Sequence, residues 1–94
     1  MNYLIDFDEK KNLLLKETRG INFEDIIKAI EKGKILDNIN HFNKVKYPNQ
    51  RILIVGINKI VYAVPYVFDN KKKVIFLKTV YPNRILTKKY LKGG

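Results

Sequence analysis

Three apolar runs stand close together between Arg51 and Arg84: Ile52–Ile57, Ile60–Phe68 and Val74–Val80. Ile, Val, Tyr and Phe dominate them, and branched or aromatic side chains suit a pleated, half-buried surface. The breaks are short. Gly56, Asn58 and Lys59 mark the first, and Asp69–Lys73 the second. A parallel return needs roughly a dozen residues or more, whereas a hairpin closes in two to five. The stretch is therefore expected to form a three-stranded antiparallel meander onto which the rest of the chain must pack.

The flanking segments supply that packing. Tyr3–Phe7 is short and apolar and fits an edge strand. Asp6 precedes Glu9 by three residues, the spacing of a capping box, and a helix is expected from Asp8 to Arg19. Leu13 and Leu14 are its expected buried residues, Lys10, Lys11 and Lys16 its wet ones, and Gly20 its stop. A second helix starts at Asn22, a good N-cap, with Glu24 and Asp25 in the first turn. Phe23, Ile26, Ile27 and Ile30 form one apolar stripe, Glu24 and Lys28 an i,i+4 pair, and Gly33 the end. Ile35–Ile39 is a weaker strand candidate and Asn40–Gln50 a loop. Ile85–Leu91 is expected to add a last helical turn, with residues 92–94 fraying. One α+β domain over residues 1–94 accommodates all of this.

Charge separates the chain into unequal parts. Residues 1–40 carry eight acids and seven bases, a sum of −1, while residues 41–94 carry one acid, Asp69, and twelve bases, a sum of +11. Solubility alone does not require acids to vanish from more than half a chain, so the asymmetry points to a cationic surface that meets a polyanion. No apolar run approaches the roughly 18 residues of a membrane helix, and MNYLIDFDEK lacks the basic start and long apolar stretch of a signal peptide. A cytoplasmic protein without membrane contact is expected.

The usual catalytic templates are missing. The chain has no cysteine and no serine, His41 is its one imidazole, and its glycines do not form a phosphate loop. No pair of acids lies in the basic region, so neither a metal nor a cofactor is expected there. Arginine, lysine and tyrosine remain, and RNA cleavage can run on that set. The substrate's own 2′-hydroxyl is the nucleophile; the protein must align it and stabilise the charge that grows on the phosphorane-like transition state. Arginine matches two phosphate oxygens with its planar fork. Arg51 and Arg84 are the arginines of the basic region, and Lys78, Tyr81 and Tyr90 are candidates for added charge, proton transfer or base stacking. Lys71, Lys72 and Lys73 at a hairpin tip, with Lys88 and Lys89 near the C-terminus, are candidates for RNA binding. Arg51 begins one strand and Arg84 ends another running the same way, so the pair has to be brought together by packing.

The order of features resembles a known family. Asp6-Phe-Asp-Glu-Lys-Lys-Asn12, then a helix, then Arg19-Gly-Ile-Asn-Phe-Glu-Asp25, is similar to the opening of BrnT-type toxins. Arg51-Ile-Leu-Ile-Val-Gly56 and Val74-Ile-Phe-Leu-Lys-Thr79 are similar to that family's strands, and Arg84 with Tyr90 to its closing segment. The family's histidine before the glycine is Arg19 here, its tryptophan Phe7, and its arginine-rich tail is lysine-rich. The resemblance implies a RelE-like fold, with two N-terminal helices on an antiparallel sheet of about three to five strands and a short C-terminal helix. It implies a toxin of a type II toxin–antitoxin system, a ribonuclease that blocks translation on free or ribosome-bound mRNA. It also implies an antitoxin partner with a DNA-binding domain, in a toxin–antitoxin hetero-oligomer or with a homo-oligomeric toxin. Arg51 and Arg84 carry over as active-site arginines. A non-catalytic RNA- or ribosome-binding module, or a protein whose basic face serves only an acidic partner, remains open at this level.

Overall fold

A computed structural model describes residues 3–92. Its element order is β1 (Leu4–Phe7), α1 (Glu9–Arg19), α2 (Phe23–Glu31), β2 (Ile35–Asn40), β3 (Arg51–Ile57), β4 (Ile60–Asp69), β5 (Val74–Leu77), β6 (Tyr81–Pro82) and α3 (Arg84–Thr87). A π-helical turn over Lys88–Lys92 completes it. The expected fraying of 92–94 falls mostly on residues 93 and 94, which lie outside the described residues. The α+β class and the central meander are as expected. The sheet is larger and mixed, not antiparallel with at most five strands. Six strands run in the order β1-β5-β4-β3-β2, with β6 also on β4, and β1 pairs with β5 in parallel.

The meander turns as its residues dictate. Asn58 and Lys59 take φ of 51° and 67°, the paired left-handed conformation of a tight two-residue hairpin. At the other end the Asp69 carboxylate accepts from the backbone N–H groups of Lys71 and Lys72, both at 3.0 Å. The third run does not stay one strand through Val80. It leaves the ladder after Leu77, and the chain rejoins β4 at Tyr81 and Pro82. Arg19, at the end of α1, explains the gap: its Nη1 donates to the Val80 carbonyl at 2.6 Å and reaches Thr79 Oγ1 at 3.4 Å.

The helices form by local rules. Asp8, not Asp6, caps α1 by accepting from the N–H groups of Lys10 and Lys11, and Gly20 ends it at φ 66°. Asn22 and Asp25 form a reciprocal capping box on α2. Phe23 and Ile26 of the expected stripe are fully buried, Ile27 and Ile30 partly so. The phase of α1 differs from expectation. Leu13 and Leu14 are 57% and 51% exposed, whereas Leu15 and Asn12 are buried. Asn12 is turned inward because it ties the two helices together: its Oδ1 accepts from Phe23 N at 2.7 Å and its Nδ2 donates to Glu24 Oε1 at 2.8 Å. Glu24 in turn pairs with Lys16 at 3.6 Å, rather than with Lys28.

Both sheet faces are covered in part. The α1–α2 layer packs on Leu53, Val55, Val64, Tyr66 and Leu77. The C-terminal helix packs through Leu86 on Ile52, Ile54, Val61 and Ala63 of the opposite face.

Candidate nucleic-acid interface

A groove of about 960 Å³ opens at the β3–β4 turn, between α2 and the C-terminal helix. Lys28, Lys32, Lys34 and Lys59 line it, with Asp25 the one acid among its lining residues. Lys28 and Lys32 lie one helical turn apart, so they share a face. Gly33, at φ 75°, then reverses the chain, and Lys34 N bonds back to the Ala29 carbonyl at 2.9 Å, which keeps Lys34 beside them. Lys59 arrives from across the groove in the two-residue hairpin. Tyr62, half-buried, supplies an aromatic surface in the lining. Asp25 is already engaged, since its Oδ2 accepts from Asn22 N in the capping box.

Thr87 closes the far wall. Its Oγ1 accepts from Val61 N at 3.0 Å and donates to the Asn83 carbonyl at 2.8 Å, which fixes α3 against the start of β4. Asn83 caps α3 by accepting from Leu86 N at 2.9 Å. Arg84 lies one turn before Thr87 and is exposed, with no hydrogen bond or ion pair among the described residues; Lys88 follows Thr87 and is exposed too. The one ion pair among the described residues joins Lys16 to Glu24, whose carboxylate also feels the charge of Lys28. The groove is thus bordered by an excess of positive charge, four lysines against Asp25, the condition that attracts and holds a polyanion.

The residues singled out in the sequence do not assemble into one site. Arg51 pairs with Tyr66 of β4, while Asn83, beside Arg84, bonds to Val61. Those positions are five residues apart on β4, roughly 16 Å at the rise of a strand. The arginines also sit on opposite faces: Arg51 alternates with Leu53 under the α1–α2 layer, while α3 covers the other face. Lys78 follows the end of β5, the strand on the far side of β4 from β3 and Arg51, and lies over the Phe76 ring at 5.3 Å. Lys71, Lys72 and Lys73 are exposed at the β4–β5 turn, at Arg51's end of the sheet. Lys88 and Lys89 are exposed on the C-terminal helix. The expected single cationic face is therefore two charged ends.

Tyr81 and Tyr90 are packed rather than free. Both lean on the Ile52–Val61 cluster. Burial pushes the Tyr81 phenol above its ordinary value, with Arg19 pulling the other way. The Tyr90 hydroxyl donates to Asp37 Oδ2 at 2.6 Å. That bond raises the Tyr90 phenol and, with Asn38 N–H as the next cause, holds the Asp37 carboxyl below its usual range. The sign of the linkage follows. The Asp37 contribution is present above 3.8 and lost as pH falls through its lowered folded value. The Tyr90 contribution is present below 10.0 and lost as pH rises through its raised folded value. Thermal melts should therefore show Tyr90→Phe less stable than the native chain by a constant margin between 3.8 and 10.0, with the margin closing on either side. A margin that is absent at neutral pH would show that this bond does not hold the C-terminal helix.

Sequence reasoning passed over Lys28, Lys32, Lys34 and Lys59 as binding residues. A signal was present: Lys28, Lys32 and Lys34 follow the first-turn acids of α2 at one-turn and shorter spacing, with Glu31 the one acid among them. Comparison with known proteins adds no further constraint, since no protein-family model, curated protein or solved structure matches the chain. Among the described residues no helix is long and apolar enough to cross a membrane.

Proposed function

We propose that this protein binds RNA, as the toxin component of a type II toxin–antitoxin system acting in the cytoplasm. The lysine-rimmed groove grips the phosphate backbone, and Tyr62 offers a surface on which a base can stack. One observation carries the reading: four lysines face a single, already engaged aspartate around a groove of about 960 Å³. Support for the toxin class comes from the resemblance of Asp6–Asn12 and Arg19–Asp25 to BrnT-type toxins. The α+β class, with two N-terminal helices and a C-terminal helix on a sheet, is compatible with that reading, although the sheet is mixed and has six strands. The partner is an antitoxin with an acidic segment that competes with RNA for the lysines.

Arg84 favours a second reading, metal-independent endoribonuclease activity. It is an exposed guanidinium whose side chain has no partner among the described residues, one helical turn before the groove-lining Thr87, and there it would meet a scissile phosphate while the RNA supplies its own 2′-hydroxyl. Arg51 is too far away to share that phosphate, and Tyr90 is committed to Asp37. Labelled single-stranded RNA titrated at several salt concentrations tests both readings. Binding should weaken with a log–log slope of roughly −0.7 per phosphate contact. Cleavage products that appear with the native chain and vanish with folded Arg84→Ala select the nuclease. Products that persist in Arg84→Ala refute this role for Arg84, and binding without products leaves the non-catalytic reading. A chain that ignores RNA at low salt overturns both readings and points to an acidic protein partner alone.

A further inference from the structure

A second cavity lies toward the opposite end of the sheet, on the face under the α1–α2 layer, where α2 reaches it only through Ile30. It measures about 340 Å³ and runs across the strands from Tyr3 and Ile5 to Asn38 and Arg51. Ile75, Phe68 and Leu53 contribute to its apolar lining, with Ile30 at the helix side. Tyr3 and Phe68 meet edge to face at 5.1 Å and close one side. β4 is ten residues long and α2 only nine, and a strand residue advances about twice as far as a helical one. The strands therefore run on past the helix, and this stretch of apolar face stays open.

Its polar end is built from Arg51, Asn38 and Tyr66 of the lining, with Asn40 holding Arg51 from outside it. Arg51 Nε donates to Asn38 Oδ1 at 3.0 Å, Nη2 to the Asn38 carbonyl at 3.0 Å, and Nη1 to Asn40 Oδ1 at 2.7 Å. The Tyr66 hydroxyl donates to the same Asn38 Oδ1 at 3.0 Å and lies 2.8 Å from Asn38 Nδ2. All three acceptors around the guanidinium are neutral, so its charge is not compensated. A guanidinium has five N–H donors, and these bonds leave donors over on the terminal nitrogens. The side chain is also held in place, so little of its rotamer freedom is left for a ligand to remove.

We propose that this cavity binds a small amphiphile with one carboxylate, its apolar body along Ile5, Ile75 and Phe68 and its carboxylate on Arg51. The apolar floor selects the body, and the unneutralised, fixed guanidinium selects an anionic head of two oxygens. The size fits a small molecule, since ligand cavities begin near about 300 Å³. It does not fit a folded partner, because ten residues line the cavity and a stable protein interface uses roughly 20–30 on each side. The inference is independent of RNA binding, which uses the other end of the sheet.

Decanoate, kept below its aggregation concentration, is the probe, with decanol and decyltrimethylammonium as head-group controls in calorimetric titrations. One decanoate should bind per chain, more tightly than either control. Arg51→Gln, at an exposed strand end, should weaken decanoate roughly tenfold to a hundredfold and leave decanol unchanged. Phe68→Ala should weaken decanoate and decanol alike. No decanoate binding to the native chain, equal binding of all three probes, or decanoate affinity unmoved by Arg51→Gln would overturn the proposal. Melting of each variant close to the native chain is the control for folding.

Discussion

Changing Lys28, Lys32, Lys34 and Lys59 together to glutamine is expected to lower the affinity for single-stranded RNA by roughly a thousandfold at about 0.1 M salt. The size of the effect follows from counterion release: each phosphate neutralised on a single strand adds roughly 0.7 to the log–log salt slope. Four phosphates left without their lysines at about 0.1 M then remove nearly three decades of affinity, and the slope itself should flatten by roughly three. All four side chains are exposed, so the folded state should be almost unaffected. Reversing the charge of Lys71, Lys72 and Lys73 instead is the informative comparison, since they lie at the other end of the sheet. If that hairpin variant loses more affinity than the groove variant, RNA is held at the wrong end for this reading. Competition between RNA and an acidic peptide for the same lysines is the corresponding check on the partner.

Phe23→Ala should have the largest effect on stability. Phe23 is fully buried, stacks on Phe7 at 5.0 Å, and stands in the first turn of α2, where its N–H is held by Asn12. Truncating a buried phenylalanine costs about 3–5 kcal/mol, a large share of the roughly 5–15 kcal/mol typical of a domain. The melting temperature should drop by roughly 12–40 °C, taking about 4–8 °C per kcal/mol for a chain of this size. A drop of only a few degrees would mean that Phe7 and Leu15 collapse into the space and that the α1–α2 layer is loosely seated. Leu13→Ala is the control on the same layer: the side chain is 57% exposed, so its loss should be nearly silent.

Much of the layout was legible because its signals are local. The α2 boundaries follow from Asn22, Asp25 and Gly33, each acting within a few residues of itself. The β3–β4 hairpin follows from two polar residues between two apolar runs. The phase of α1 was not legible. Leu13, Leu14 and Leu15 are consecutive leucines, so hydrophobic spacing alone leaves the buried side undetermined. Asn12 settles it by docking on Phe23 and Glu24, an arrangement that exists only once both helices are folded. The same holds for β1. Its apolar residues mark a strand, but its parallel pairing with β5 joins segments about seventy positions apart, and nothing local encodes it.

The candidate site divides along the same line. Composition alone announced a cationic protein without the usual catalytic groups, because charge and side-chain chemistry are properties of residues counted one by one. Direction is not such a property. Folding sent Arg51 to one end and one face of the sheet and Arg84 to the other, and drew Lys59 from a hairpin toward Lys28 and Lys32 of a helix. Apolar burial drives those placements, and the cations go wherever the buried side chains behind them are carried.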